Sequence, residues 1–90
     1  PRDIAIVVAE TVSAAAVKEA IQKALVEVAV GDVELFDVYR GAGIPEGKKS
    51  MAYSFTLSAA DHTLKDDEIQ KAMQCIIETL ASQLGAQLRA

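Results

Sequence analysis

Hydrophobic and polar positions along the chain predict two helices and four strands in the order β-α-β-β-α-β. Residues 3–9 and 51–57 alternate between two faces, residues 33–39 are rich in β-branched and aromatic side chains, and residues 87–89 suffice for a short last strand. Between these strands, apolar residues recur every three or four positions, as on one face of a helix. They are Val17, Ile21, Leu25 and Val28 in the first helix and Ile69, Ala72, Met73, Ile76, Ile77, Leu80 and Leu84 in the second.

Residues that favour helix ends mark the limits of both helices. Ser13 is a favourable N-cap for the first helix, and the pair Gly31-Asp32 is expected to end it. Asp66 is expected to cap the second helix, and Gly85 is expected to end it. The polar side of the first helix carries Lys18, Glu19, Gln22, Lys23 and Glu27.

Two amphipathic helices and one sheet pack most economically with both helices on the same face of the sheet. We therefore predict an α+β fold: a ferredoxin-like sandwich with an antiparallel four-stranded sheet of order 4-1-3-2 and two helices on one face. The other face of the sheet stays open in this arrangement. It would display Ala5, Val7, Ala52, Ser54 and Thr56.

The orientation of the second strand is less clear from the pattern. Phe36 and Val38 make the better inward pair, which turns Leu35, Asp37 and Tyr39 outward. A one-residue bulge would reverse that assignment, because neighbouring residues of a strand point to opposite faces.

Length and composition indicate one domain spanning residues 1–90, and the initial proline suggests a fragment of a larger chain. About half of the residues, 51%, are hydrophobic, which suffices for one core. No apolar run approaches the roughly 20 residues of a membrane span, and no signal peptide is visible. The single cysteine, Cys75, fits a reducing, cytoplasmic location and is expected to be a half-buried residue of the second helix rather than a reactive thiol.

Known catalytic and metal-binding patterns are missing. Gly41, Gly43 and Gly47 suggest a phosphate-binding loop, but their spacing is wrong and they lead into a strand instead of a helix. His62 is the only histidine and is expected to be a solvated turn residue. One cysteine and one histidine cannot build a zinc site. The fragment by itself is therefore not expected to be an enzyme or to hold a metal ion.

The net charge of −4 argues against indiscriminate binding of nucleic acid, including DNA, because such binding depends on many phosphate contacts by Lys and Arg. An RNA-binding role would have to rest on a local cluster that reads bases. Candidate residues combine a carboxylate for guanine, an aromatic ring, short hydroxyls, small side chains under a flat base, and cations at the rim. They are Asp37, Tyr39, Ser50, Ser54, Ala5, Ala52, Arg2, Arg40, Lys48 and Lys49. The alternative for each polar one is an ordinary solvated strand or loop position.

The string FDVYRGAGIPEGKKS at residues 36–50, together with both ends of the chain, resembles the C-terminal ferredoxin-fold anticodon-binding domain of the bacterial phenylalanyl-tRNA synthetase β chain. The resemblance implies that the parent is an α2β2 ligase that joins phenylalanine to its tRNA with ATP and Mg²⁺, with the chemistry in the α subunit. The fragment would contact the anticodon loop of tRNA(Phe), whose first base is guanine.

Residue by residue, the resemblance assigns RNA contacts to Asp37, Tyr39 and Arg40, to Ala5, and to Ser50 with Ala52. Asp37 and Ser50 are the expected readers of guanine. The chain departs from its relatives at Ser54, where they often have a basic residue, and at Lys65, where they usually have Thr. Two other functions share the predicted fold: a regulatory module that senses a small molecule, and a structural or protein-interaction domain.

Overall fold

A computed structural model describes residues 2–26 and 28–89 of the chain. The strands form one antiparallel sheet of order β2-β3-β1-β4, which is the predicted order read from the opposite edge. The ferredoxin-like fold is thereby confirmed. Its elements are β1 (Arg2–Ala9), α1 (Ala14–Lys23), β2 (Ala29–Tyr39), β3 (Lys48–Ser58), α2 (Asp66–Leu84) and β4 (Gln87–Leu88).

The hydrophobic core lies between the two helices and one face of the sheet. Alternate residues of β1 and β3 enter it, and the predicted stripes of α1 and α2 cover them. Tyr53, one of the largest buried side chains, donates its hydroxyl to the carbonyl of Ala14 at 3.1 Å, so its polar atom is satisfied as the ring is buried. The members of the core are Ile4, Ile6, Val8, Val17, Ala20, Ile21, Val33, Met51, Tyr53, Phe55, Ile76, Leu80 and Ala86.

The first helix is shorter than its apolar pattern predicts. Ser13 caps it as expected, because its Oγ accepts from the backbone N–H of Ala16 at 3.1 Å, but the helix ends at Lys23. The prediction that Gly31-Asp32 ends this helix is wrong, since both residues lie inside β2. Val26, Val28 and Val30 form a β-branched series, which favours extended backbone over helix. Glu27, expected on the polar side of the helix, lies outside the described residues.

The second helix begins one residue earlier than predicted. Lys65 is the N-cap and Asp66 is already helical, so the prediction that Asp66 caps the helix is wrong. Glu68 satisfies the helix start instead, because its carboxylate accepts from the backbone N–H of Lys65 at 3.2 Å. Gly85 ends the helix with φ 65°, a left-handed conformation that glycine adopts without strain, as predicted.

His62 bridges two carboxylates in the connection before α2. Its Nδ1 lies 2.7 Å from Asp61 Oδ1, and its Nε2 lies 2.7 Å from Glu68 Oε2. The hydrogen bonds and charges of Glu68 and Asp61 raise the pKa of His62, and His62 in turn lowers the pKa of both carboxyls. Only the protonated ring donates from both nitrogens, so this arrangement favours the imidazolium form.

We expect the bridge to make stability depend on pH near neutrality. Because the pKa of His62 is higher in the folded state than its ordinary 6.5, its stabilisation is complete below 6.5 and is lost as pH rises through the folded pKa. The wild-type melting temperature should therefore rise relative to that of His62→Gln between roughly pH 8 and pH 5.5. Thermal unfolding of both proteins across that range measures the difference. A constant difference would show that His62 does not titrate against these carboxylates.

Candidate nucleic-acid interface

The face of the sheet opposite the helices, here called the open face, is lined in its middle by small side chains. Register pairs Ala5 with Ala52, and Ala52 with Asp37, so these three residues form one row across β1, β3 and β2. Directly opposite residues of antiparallel strands share a face. Asp37 therefore points to the open face beside two alanines, and its side chain is exposed as expected.

A bulge in β2 sets the direction of its side chains. The register shifts between Leu35 and Asp37, which leaves Phe36 without a partner in β3. Val38 pairs with Met51 and Tyr39 with Ser50, so the predicted directions of Val38, Asp37 and Tyr39 are confirmed. The prediction for Leu35 and Phe36 is wrong: Leu35 pairs with the core residue Tyr53, and Phe36 is 58% exposed. One extra residue in the strand is enough to turn Leu35 toward the core while Asp37 stays on the open face.

Tyr39, Ser50 and Arg89 form a cluster on the open face. Arg89 follows β4 and lies over the Tyr39 ring, with its Cζ 5.2 Å from the ring centroid. Its Nη1 donates to Ser50 Oγ at 3.2 Å, and Ser50 is only 3% exposed. The Tyr39 hydroxyl donates to the carbonyl of Ala42 at 3.0 Å, which holds the ring toward the β2–β3 loop. A cation stacked on an aromatic ring thus covers the serine expected to read a base.

Arg89 is the site residue that the sequence did not reveal. It stands outside the string of residues 36–50, and a cation near a chain end is usually solvated. Its backbone N–H donates to the carbonyl of Ala5 at 2.8 Å, which continues the pairing of β4 with β1. Gln87 pairs with Val7 of the open face, and residues two apart in a strand share a face. This alternation was the available signal that Arg89 lies on the open face.

Charge changes sign along the open face. Ser54 pairs with Glu34 on one side and with Asp3 on the other, so two acidic residues flank it. At the other end, Lys48 pairs with Ala9 and faces the same side. The cations of the open face therefore lie near Ser50, away from Ser54, even though the net charge of the chain is −4.

Arg40 lies at the rim, where β2 ends, and is already paired. Its guanidinium donates to the Glu10 carboxylate through Nε and, at 3.0 Å, through Nη2. This contact holds the pKa of Glu10 below its usual range, and the charge of Lys49 lowers it further. Both side chains are exposed, so solvent screens the pair.

Two predicted cations do not lie on the open face. Arg2 pairs with the core residue Phe55, which puts it on the helical side, beside Asp66, Ile69 and Gln70. Lys49 pairs with Val8 on the same side and is 8% exposed. Lys48 and Lys49 were predicted at the end of the loop, but both belong to β3 because they pair with β1. Their alternation explains why only Lys48 joins the open face.

Among the described residues, no group of three or more His, Cys, Asp or Glu could hold a metal ion. Cys75 is half-buried, and its Sγ lies 3.3 Å from the carbonyl of Ala24. In the same part of the chain, neither helix is both long and apolar enough to cross a membrane. The cluster of Tyr39, Ser50 and Arg89 itself offers hydrogen bonding, stacking and charge.

Comparison with known proteins agrees with this architecture. Residues 1–89 match the family described as the ferredoxin-fold anticodon binding domain. The chain is 47% identical over 88 residues to the phenylalanine–tRNA ligase beta subunit of Chromobacterium violaceum, and 46% and 44% identical over 88 residues to those of Syntrophotalea carbinolica and Geobacillus kaustophilus. Each alignment covers 98% of this chain and 11% of the relative. The chain belongs to the family of ferredoxin-fold anticodon-binding domains and corresponds to that domain of phenylalanine–tRNA ligase beta subunits.

Proposed function

We propose that the open face binds the anticodon loop of tRNA(Phe) and reads the guanine at its first position. The observation that carries the proposal is the row formed by Ala5, Ala52 and Asp37, next to the cluster of Tyr39, Ser50 and Arg89. A flat base can approach closely only where side chains are small, and it is identified by groups at the edge of that space.

Asp37 supplies the carboxylate that distinguishes guanine from the other bases. A carboxylate accepts two hydrogen bonds, and guanine presents two adjacent donors, N1–H and the N2 amino group. Adenine lacks the N1 hydrogen, and the pyrimidines lack one of the two donors at comparable positions. A base lying over Ala5 and Ala52 would bring its Watson–Crick edge toward Asp37 in the edge strand β2.

Tyr39, Ser50 and Arg89 complete the contact. Because Arg89 covers Ser50, a base reaches the serine hydroxyl only if the arginine moves aside or joins the contact. Both the tyrosine ring and the guanidinium plane can stack on a base, so the cluster offers a stacking surface in either case.

Phosphates are expected near Lys48 and Arg40, at the basic end of the open face. Glu34 and Asp3 would repel a phosphate near Ser54, so we place no phosphate there. Arg2 and Lys49 lie on the helical side, so they would reach only an RNA backbone that wraps around the edge of the sheet.

The longer parent protein would be the β subunit of a cytoplasmic α2β2 phenylalanine–tRNA ligase that uses ATP and Mg²⁺. The described residues offer no metal cluster, and the glycine-rich loop runs into strand β3 instead of a helix. As the family resemblance implies, catalysis would take place in the α subunit, and this domain would hold the anticodon so that the cognate tRNA is charged preferentially.

An NMR titration of the 90-residue chain with a synthetic tRNA(Phe) anticodon stem-loop tests the proposal. The chain forms its core from its own residues, which favours testing it alone. We expect shifts at Ala5, Asp37, Tyr39, Ala52 and Arg89, and weaker ones with a stem-loop that carries adenine in place of the guanine.

Three results would contradict the proposal. An absence of chemical-shift changes at about millimolar RNA would mean that the open face does not bind this loop. Shifts confined to the helices would favour a protein-interaction domain. Ligand-dependent dimerisation with an amino acid, centred on the groove lined by Leu25, Val28 and Ala72, would favour the small-molecule module.

A further inference from the structure

Glu10 joins the two ends of the loop that connects β2 to β3. It follows β1 directly, and its backbone N–H donates to the carbonyl of Gly47 at 3.0 Å, just before β3 begins. Its carboxylate accepts two hydrogen bonds from Arg40, just after β2 ends. Glu10, the residue after β1, thus contacts both the first and the last part of the β2–β3 loop.

We propose that Glu10 is a positioning residue that holds Arg40 in place to receive an RNA phosphate, an inference that rests on the proposed function. A guanidinium has five N–H donors, and Glu10 engages two of them, one on Nε and one on Nη2. Three donors remain, and two of them, one on Nη1 and one on Nη2, lie side by side on the outer edge of the guanidinium. This edge matches the spacing of two phosphate oxygens, so Arg40 can hold Glu10 and a phosphate at once.

Ordering a long side chain on binding reduces affinity, and a side chain that is already ordered avoids this loss. The bidentate contact orders Arg40 next to Tyr39, at the basic end of the open face. The Glu10 charge has an opposing effect because it repels a phosphate. Both side chains are exposed, so the high dielectric of water weakens that repulsion. We expect the ordering of Arg40 to outweigh it.

The ordering of Arg40 is tested first without RNA. Nitrogen relaxation of the Arg40 Nε–H should show a rigid side chain in the wild type and a flexible one in Glu10→Ala. Glu19→Ala is the matched control, because it also removes one carboxylate and one surface ion pair, with Lys23 on α1. Equal rigidity of Arg40 in Glu10→Ala and wild type would overturn the inference.

Affinity for the anticodon stem-loop is then measured in a double-mutant cycle of Glu10→Ala and Arg40→Ala. We expect Glu10→Ala to weaken binding roughly three- to tenfold, the effect of releasing one ordered side chain, and Glu19→Ala to leave it unchanged. In the Arg40→Ala background, Glu10→Ala should have no further effect, because its target is gone. Thermal unfolding of each variant confirms that the fold is retained.

Two outcomes of the cycle would overturn the inference while the proposed function stands. Tighter binding by Glu10→Ala would show that the carboxylate competes with RNA. An equal loss in both backgrounds would show that Glu10 acts on the loop without Arg40. If the wild type does not bind the stem-loop, the proposed function fails, and the relaxation experiment still decides whether Glu10 orders Arg40.

Discussion

Asp37→Asn is expected to weaken binding of the tRNA(Phe) anticodon stem-loop roughly 10- to 100-fold, because a hydrogen-bonded charge typically contributes about 1.5–3 kcal/mol. Asparagine keeps one acceptor oxygen but places an NH₂ group against the second guanine donor. Two donors then face each other, so the loss of affinity exceeds that expected from one missing hydrogen bond. Isothermal titration or fluorescence anisotropy of the two proteins measures the ratio.

Controls on both partners separate base reading from charge. Asp67→Asn, at the exposed start of α2, removes the same charge far from the open face and should leave affinity unchanged. Replacing the guanosine with inosine removes the N2 donor, which should weaken the wild type but not Asp37→Asn, where it takes away one of the two facing donors. Equal losses for both proteins with inosine would show that Asp37 does not contact this base.

Val17→Ala should lower the free energy of unfolding by about 1.5–3 kcal/mol, which reflects lost burial and a residual cavity, partly offset by the better helix propensity of alanine. Val17 is 0% exposed and belongs to the core between α1 and the sheet. Small domains are only marginally stable, so this is a large share of the total. Urea denaturation measures the change, provided that the m-value stays constant.

Val26→Ala makes the same chemical change at a site that is 98% exposed. It should change the free energy of unfolding by no more than about 0.5 kcal/mol. Similar losses for the two variants would contradict the placement of Val17 in the core.

The architecture was predictable because its signals are local. A period of two in residues 3–9 and 51–57 separates inward from outward side chains, and the second-helix stripe did predict the buried Ala72, Ile76 and Leu80. The small residues of the open face, Ala5 and Ala52, follow from the same alternation. The first helix was predicted too long because Leu25 and Val28 continue its apolar spacing past Lys23, where the helix ends.

The candidate site was predictable only in part, because its contacts join distant parts of the chain. Asp37, Tyr39 and Ser50 came from one continuous string, and their shared face follows from strand pairing. Arg89 lies 39 residues from its partner Ser50, and Arg40 lies 30 residues from Glu10. Neither pair leaves a periodic signal in the sequence.

By itself, therefore, the sequence determined the order of elements, the apolar faces of β1, β3 and α2, and the family, since each depends on neighbouring residues or on a continuous string. Tertiary structure alone decided the bulge at Phe36, the burial of Lys49 and the stacking of Arg89 on Tyr39. The physical reason is that strand register has to be known before a side chain can be assigned to a face. A shift of one residue exchanges the two faces, and pairing between strands sets that shift.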